Sequence, residues 1–203
     1  MNIDAIMRVA PVIPVLVVED VDHAAPIAEA LVAGGLCVLE VTLRTATALD
    51  VIREMKSVPG AIVGAGTVLN AADLEAALAA GAEFIVSPGL TDPLGRAAIA
   101  SGVPFLPGVT TASDIMRGFD LGLDRFKFFP AMASGGRAAL QALAAPFAAA
   151  RFCPTGGITE DNASEWLANE AVLCVGGSWV VPKGQPDRAR IRLAAEGATR
   201  LRG

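Results

Sequence analysis

The sequence predicts an α/β fold, a single (β/α)8 barrel of the TIM type that spans residues 1–203. Short runs rich in β-branched residues alternate with alanine-rich helical segments along the whole chain. This alternation is typical of parallel sheets, and eight repeats of roughly 25 residues indicate a closed barrel. No linker or low-complexity segment divides the chain, and 53% of the residues are hydrophobic, enough for one large core.

The individual strands and helices can be assigned in order, strands from short apolar runs and helices from amphipathic or alanine-rich stretches. Short apolar runs indicate strands at 12–18, 38–43, 61–68, 84–87, 104–109, 125–130, 151–155 and 172–178. Amphipathic or alanine-rich stretches indicate helices at 22–34, 46–56, 71–80, 92–101, 112–118, 136–149, 161–169 and 187–202. The small side chains of these helices would let them pack closely around a small barrel.

Composition excludes several classes of partner. The net charge of −5 and the pI of about 4.9 provide no global positive field for nucleic acid or anionic lipid. No apolar run approaches the ~18 residues that a membrane helix needs, and the first residues lack a secretory pattern. We therefore expect a cytoplasmic protein that binds a small molecule, neither nucleic acid nor membrane.

Few residue types are available for acid–base chemistry or metal binding. His23 is the only histidine, the chain has no tyrosine, and Cys37, Cys153 and Cys174 are odd in number and widely spaced. A zinc site, a Ser-His-Asp triad, a Cys-His pair and a disulfide framework are all disfavoured. Carboxylates and lysine remain as candidates, and we expect neither a metal nor another cofactor.

Lys127 interrupts the otherwise apolar strand at 125–130. Because side chains alternate along a strand, Lys127 and Phe129 should share one face, while Phe126 and Phe128 share the other. Burying an ammonium is costly unless it is paired or neutralised, and a neutral lysine amine can form a Schiff base with a carbonyl. The segment alone also allows a lysine at a strand end that pairs with a carboxylate or reaches water.

The strand at 38–43 carries a second polar face. Alternation places Glu40, Thr42 and Arg44 on one side and apolar residues on the other. Polar side chains inside a barrel are expensive, which leaves two interpretations. Glu40 and Arg44 form an internal ion pair, or Glu40 moves protons while Arg44 holds a substrate carboxylate through two hydrogen bonds.

Two glycine clusters follow predicted strands seven and eight. Gly156 and Gly157 precede a helix, and Gly176 and Gly177 precede Ser178. Glycine lets a ligand approach the backbone, and helix N-termini offer free N–H donors. Loops after strands seven and eight of this fold often bind phosphate. The five residues are therefore predicted to hold a phosphate.

A third glycine-rich segment, at 64–67, begins like a dinucleotide fingerprint. Leu69 stands where the third glycine belongs, and no acidic residue ends the next strand. NAD binding is therefore disfavoured. The glycines are expected to keep the third strand slim, with Thr67 projecting near the barrel mouth.

Taken in order, these motifs resemble the class I aldolases that act on 2-keto-3-deoxy-6-phosphogluconate, the KDPG aldolases. The matching segments are 40–45, 64–68, 87–89, 126–131, 153–158 and 176–179. The resemblance implies a TIM barrel and a homotrimer. It implies cleavage of the phosphorylated keto acid to pyruvate and glyceraldehyde 3-phosphate, without metal.

The resemblance also implies a role for each matching residue. Lys127 would form the Schiff base and Glu40 would act as general acid and base. Arg44 and Thr67 would bind the keto-acid carboxylate. The remaining residues of the pyruvate pocket would be Pro88, Phe129 and Thr155.

Three positions depart from the pattern expected of that family. Met132 stands where a glutamate is usual, and Ala46 and Gly95 replace larger or stiffer residues. These changes bear on acceptor specificity and rate, since no residue assigned to the chemistry is missing.

Other functions stay open at this point. A 4-hydroxy-2-oxoglutarate aldolase or the aldolase of the galactonate epimer would share Lys127 and Glu40, although Thr155 before the glycines favours the gluconate type. A phosphosugar isomerase or epimerase would use the phosphate loops with Lys127 only as a charge. A non-catalytic barrel that binds a phosphorylated ligand is the third class.

Overall fold

The computed structural model describes residues 1–202, and helices alternate with short parallel strands throughout that range. The strands are β1 Val12–Leu16, β2 Val38–Thr42, β3 Ile62–Gly66, β4 Ile85–Val86, β5 Phe105–Leu106, β6 Gly108–Val109, β7 Arg125–Phe128, β8 Arg151–Pro154 and β9 Val175–Gly177. The α-helices are α1 Ile3–Arg8, α2 Ala24–Ala33, α3 Ala48–Lys56, α4 Ala71–Ala79, α5 Asp92–Ser101, α6 Ala112–Asp120, α7 Gly136–Ala144, α8 Glu160–Leu167 and α9 Arg188–Thr199.

The strands form two parallel sheets, so the predicted α/β class is confirmed and the single closed eight-stranded sheet is not seen. One sheet has the order β5-β4-β3-β2-β1-β9, and the other has the order β6-β7-β8. Between the sheets, Pro107 separates β5 from β6, because proline has no amide hydrogen to donate to a neighbouring strand. The predicted strand at 104–109 is therefore two short strands.

Isolated bridges join the other edges of the two sheets. Phe152 bridges Val172, and Thr155 bridges Gly176, both in the parallel sense. Their backbones are hydrogen-bonded, with the amide of Leu173 donating to Phe152 O at 3.0 Å. β8 therefore lies beside β9, although no continuous ladder of hydrogen bonds forms between them.

Helix ends follow the local sequence. Asn70 caps α4, Asp187 caps α9, and Thr111 forms a capping box with Asp114 at the start of α6. Helix α7 ends at Ala144, earlier than the predicted 149, since the proline at position 146 has no amide hydrogen with which to continue the helix.

Helix α1 was not predicted, and it closes the amino-terminal ends of the strands. The Asn2 side chain accepts a hydrogen bond from the amide of Ala5 and so caps it. Ile6 and Met7 are fully buried in a small apolar cluster, which we call the inner cluster, formed with side chains from the strands. The other buried members of the inner cluster are Ile13, Val38, Phe84, Val86, Leu106, Cys153, Leu173 and Cys174.

A larger apolar layer lies between the strands and the helices. Phe126 and Phe128 are buried in this layer, where the Phe128 ring lies 6.5 Å from that of Trp166. Leu39 and Val41 belong to it as well. These apolar residues of β7 and β2 therefore face this layer, as the alternation of side chains along the two strands predicts. Among residues 1–202, no helix is long and apolar enough to cross a membrane.

Candidate active site

The polar side chains predicted for the site lie where parallel strands end. Glu40 is the middle residue of β2, Thr67 directly follows β3, and Lys127 is the third residue of β7. Thr155 follows β8 and Ser178 follows β9. Because all pairings are parallel, these carboxyl ends meet at one edge of the fold, which we call the mouth.

Lys127 and Glu40 form a buried ion pair at the mouth. Lys127 Nζ donates to Glu40 Oε1 at 3.0 Å, and the two side chains are 5% and 3% exposed. Lys127 Nζ also lies 5.3 Å from the centre of the Phe129 ring, so Lys127 and Phe129 share a face as predicted. A buried pair gains its stability only when both partners are present, which couples the two side chains.

Glu40 therefore pairs with Lys127 instead of with Arg44, and the internal Glu40–Arg44 pair is not formed. Arg44 is exposed just beyond β2, and its Nε donates to Thr67 Oγ1 at 3.4 Å. Thr67 has a φ of 60°, a left-handed backbone that non-glycine residues rarely adopt. This backbone projects the Thr67 hydroxyl toward Arg44, and both side chains can then face one carboxylate.

The glycines of β3 make room for buried neighbours. A Cβ at Gly66 would lie 2.2 Å from Glu40 Oε1, and a Cβ at Gly64 would lie 2.5 Å from the Phe84 ring. These contacts show why β3 needs glycine at both positions: neighbouring side chains occupy the space of a Cβ. Gly66 provides space for the carboxylate at the mouth, whereas Gly64 provides space for the inner cluster below it.

An open cavity of about 450 Å³ lies at the mouth. Several residues predicted for the site line it, namely Arg44, Phe129, Thr155, Gly156, Gly157, Gly176 and Ser178. Gly156 and Gly157 have φ values of 102° and 77°, so both need the conformational freedom of glycine. Their backbone reaches the cavity directly.

The second glycine pair departs from the prediction. Gly176 and Gly177 lie within β9, where they pair with Ile13 and Pro14, and do not form a loop after the strand. Gly177 does not line the cavity, and a Cβ there would lie 1.8 Å from the Trp179 ring. Gly176 does line it, and its missing Cβ leaves space for the Thr155 hydroxyl.

Phe129 is held by the start of α6. Thr110 Oγ1 donates to the Phe129 carbonyl at 2.6 Å, and the amides of Thr110 and Thr111 donate to Asp114 at 3.0 and 2.9 Å. Burial raises the pKa of Asp114, but those hydrogen bonds outweigh burial and leave this pKa below its ordinary value. Asp114 thus stays ionised and fixes the segment that holds Phe129.

Pro88 is placed by the turn after β4 and lies outside the cavity wall. The hydroxyl of Ser87 donates to Gly89 O at 2.6 Å and closes that turn. A Cβ at Gly108 would lie 2.2 Å from Pro88 O, so the turn packs tightly on β6. Pro88 is therefore fixed next to the strand that pairs with β7.

Four residues that line the cavity were missed from sequence: Val15, Val17, Ile158 and Lys183. Val15 is near the end of β1 and Val17 directly follows it, in a segment judged from sequence only by its apolar pattern. Lys183 is one of three lysines and follows the eighth predicted strand, which was a usable signal. Among residues 1–202, no group of three or more His, Cys, Asp or Glu side chains could hold a metal ion.

Comparisons with known proteins agree on one family. The chain matches the family model described as KDPG and KHG aldolase over residues 3–193. It is 62% identical over 198 residues to the 2-dehydro-3-deoxy-phosphogluconate aldolase of Zymomonas mobilis subsp. mobilis, covering 98% of this chain and 95% of that protein.

Solved structures agree with the sequence matches. The crystal structure of the Zymomonas mobilis 2-keto-3-deoxy-6-phosphogluconate aldolase with 3-phosphoglycerate has a TM-score of 0.98 at 61% identity, covering 99% of this chain and 96% of the other. The KDPG aldolase of Legionella pneumophila, with pyruvate captured as a covalent carbinolamine, has a TM-score of 0.95 at 41% identity, covering 98% of each chain.

Proposed function

The chain belongs to the KDPG and KHG aldolase family, and we propose that Lys127 and Glu40 carry out its chemistry. It is a class I aldolase that cleaves 2-dehydro-3-deoxy-6-phosphogluconate to pyruvate and glyceraldehyde 3-phosphate. The single observation that carries the assignment of residues is the buried hydrogen bond of 3.0 Å between Lys127 Nζ and Glu40 Oε1.

Lys127 is the nucleophile. Moving one ammonium proton to Glu40 along their hydrogen bond neutralises both groups and frees the amine lone pair. The amine attacks the C2 ketone, and Glu40 returns the proton to the departing hydroxyl as water leaves. The product is a protonated imine, which withdraws electrons from the C3–C4 bond.

Glu40 then acts as a base at C4 of the imine intermediate. Its carboxylate takes the proton of the C4 hydroxyl, the C3–C4 bond breaks, and its electron pair moves to the imine nitrogen. Glyceraldehyde 3-phosphate leaves, and an enamine of pyruvate stays on Lys127. Glu40 gives its proton to the enamine carbon, and water hydrolyses the resulting imine to pyruvate and free amine.

The remaining residues position the substrate. Arg44 and Thr67, 3.4 Å apart at Nε and Oγ1, hold the carboxylate next to the reacting ketone. Phe129 and Thr155 enclose the pyruvyl group, and Pro88, outside the cavity wall, fixes the strand beside β7. Gly156, Gly157, Gly176 and Ser178 hold the phosphate at the far end, where backbone amides and a hydroxyl are the donors, whereas Gly177 lies outside the cavity. Binding there supplies orientation to the bond that breaks.

The two sheets act as one (β/α)8 barrel in a single domain. The bridges Phe152–Val172 and Thr155–Gly176 support closure on one side, and the short gap at Pro107 supports it on the other. Membership of the family further suggests a homotrimer in the cytoplasm that needs no metal ion or other cofactor. Light scattering of the purified protein tests the trimer by its mass.

Imine trapping tests the function and the residue assignment together. The protein is incubated with pyruvate and borohydride in excess chelator, and the reduced adduct is located by peptide mass spectrometry. We expect the adduct on Lys127 and full cleavage activity despite the chelator. Lys127→Ala should remove both, Lys127→Arg should not restore them, and Lys56→Ala is the matched control. No adduct on any residue would leave an isomerase, an epimerase or a binding protein.

A further inference from the structure

The cavity at the mouth is lined by two cationic side chains, Arg44 and Lys183. They are attached to different walls, since Arg44 follows β2 and Lys183 follows β9, with β1 between these strands. Two strand spacings of about 4.8 Å put the strand ends roughly 10 Å apart. The substrate likewise has two anionic groups, one at each end of a six-carbon chain.

Lys183 differs from the other two lysines in having no protein partner. Lys127 pairs with Glu40, and Lys56 Nζ lies 3.3 Å from Glu83 Oε1. No ion pair or hydrogen bond involves the Lys183 side chain within the described residues. In a chain with a net charge of −5, a free cation beside a cavity is the local attraction that an anionic ligand needs.

The segment that carries Lys183 is anchored on both sides. Val180 before it is fully buried, and Ile191 after it is fully buried in α9. Between them Gly184 has a φ of 96°, which turns the chain back toward the helix. Asp187 is the nearest carboxylate along this segment, but it already accepts the amide of Arg190 at 3.1 Å as the cap of α9. The backbone around Lys183 is therefore anchored, and although Lys183 and Asp187 also line a second, smaller pocket, no ion pair or hydrogen bond joins their side chains within the described residues.

We propose that Lys183 binds the terminal phosphate of the substrate together with Gly156, Gly157, Gly176 and Ser178, which line the same cavity. This inference rests on the proposed function. Uncharged amide and hydroxyl donors do not balance a group that carries roughly −1.5 to −2 charges at pH 7, and Lys183 supplies the missing positive charge. Lys183 thereby favours acceptors that end in a dianion.

The test compares Lys183→Gln, Lys183→Glu and Lys183→Arg with the control Lys56→Gln. Two reactions are measured for each protein, cleavage of the phosphorylated substrate and exchange of pyruvate methyl protons with deuterated water. The second reaction uses only the Lys127 end of the site. Inorganic phosphate serves as a competing ligand in the first reaction, at low and at high salt.

We expect Lys183→Gln to raise the KM for the phosphorylated substrate and the inhibition constant of phosphate by roughly 3–10-fold at low salt. Lys183→Glu should raise both further, and Lys183→Arg should restore them. Salt should shrink the difference, because the side chain is exposed. The kinetics of pyruvate exchange should stay within twofold of the wild type throughout.

An unchanged KM and an unchanged phosphate inhibition constant in Lys183→Gln would overturn the role of Lys183. Equal losses in cleavage and in pyruvate exchange would overturn it as well, since they would indicate a general disturbance. Neither result touches the proposed function, which fails instead when the wild-type protein forms no imine with pyruvate at Lys127.

Discussion

The two ends of the strands differ in polarity. At the mouth, Lys127 and Glu40 form a buried ion pair beneath a cavity with glycine walls. At the other end, which we call the floor, α1 places Ile6 and Met7 against the apolar inner cluster. The mouth buries charge and leaves backbone open to a ligand, whereas the floor buries hydrocarbon and admits nothing.

The difference shows how one small barrel separates stability from chemistry. Burying a charged pair contributes little net stability, because desolvation offsets the attraction between the charges. Burying aliphatic side chains contributes roughly 25 cal/mol per Å². Replacing one member of the pair leaves the other buried without its partner, which costs stability unless the remaining group becomes neutral. We therefore expect changes at the mouth to remove activity even where the protein stays folded, and changes at the floor to lower stability while the folded protein stays active.

Of the changes considered, replacing Glu40 at the mouth should have the largest effect on activity. In Glu40→Gln the amide cannot take or return protons, so exchange of pyruvate methyl protons should slow by roughly 10²–10⁴-fold. Proton NMR in deuterated water measures the exchange, and calorimetry checks that the variant is folded. Exchange at the wild-type rate would reduce Glu40 to a structural partner of Lys127.

A cavity at the floor should have the converse effect. Met7 is fully buried, and Met7→Ala should lower the free energy of unfolding by about 2–5 kcal/mol. For a chain of this size the midpoint of thermal unfolding falls by roughly 2–4 °C per kcal/mol. The steady-state rate of cleavage at 25 °C should not change.

Val9→Ala is the control for Met7→Ala, because Val9 is 41% exposed just after α1. It should leave the unfolding temperature within a degree or two of the wild type. If Met7→Ala instead lost cleavage activity in fully folded protein, the two ends would be coupled and the contrast would fail.

Gly157→Val should affect only the phosphate half of the mouth. A branched side chain at this φ of 77° is strained, and its Cβ would lie 2.7 Å from Met132 Cγ. Loss of hydrogen bonds to a charged group should lower kcat/KM for the phosphorylated substrate by roughly 10–100-fold. Imine formation with pyruvate should persist, since the reacting ketone lies at the other end of the substrate.

Gly122→Val separates strain from blocked binding. Gly122 has nearly the same φ, 78°, with no atom within 4 Å of the added Cβ, and it follows α6 away from the cavity. Gly122→Val shares the backbone strain and lacks the contact with Met132, so it should lose somewhat less stability, and only Gly157→Val should lose activity. Equal kinetic losses would show that backbone strain alone explains the effect.

The smallest effect concerns the ion pair that ties α1 to β7. Hydrogen bonds from Arg8 first, and then from Arg125, hold the pKa of Asp4 below its usual value. Because this pKa is lowered on folding, the stabilisation is present above the unfolded value of 3.8 and is lost as pH falls through the folded pKa. Asp4→Asn should therefore cost about 0.5–1 kcal/mol at pH 7.

Denaturant unfolding at several pH values checks this prediction. The difference in stability between wild type and Asp4→Asn should shrink as pH falls below the unfolded pKa and disappear below the folded pKa, where Asp4 of the folded protein takes up a proton. A difference that persists at low pH would mean that the Asp4 side chain stabilises α1 by packing or capping.

Much of the chemistry could be predicted from the chain alone, because it depends on alternation along single strands. Lys127 opposite Phe126 and Phe128, and Glu40 opposite Leu39 and Val41, follow from the two-residue period of a strand. The α/β class follows from the regular spacing of apolar runs. In these cases each prediction needs only residues that are near one another in sequence.

Contacts between distant segments were decided by the tertiary structure. Glu40 and Lys127 are 87 residues apart, and only the register of the sheets brings them within 3.0 Å. The sequence therefore left Arg44 open as the partner of Glu40. Helix α1 was missed because six residues carry little periodic signal, and its burial depends on the inner cluster below it.

The glycines also divide into those that local sequence explains and those that only tertiary contacts explain. Gly156 and Gly157 were recognised because a glycine pair directly before a helix is a local property of the sequence. The reasons for Gly66 and Gly177 lie in Glu40 and Trp179, side chains that the fold brings against them. The sequence by itself thus determined the α/β class, the approximate positions of the strands and the faces of β2 and β7. The tertiary structure alone decided which groups meet, because packing distances depend on segments far apart in the chain.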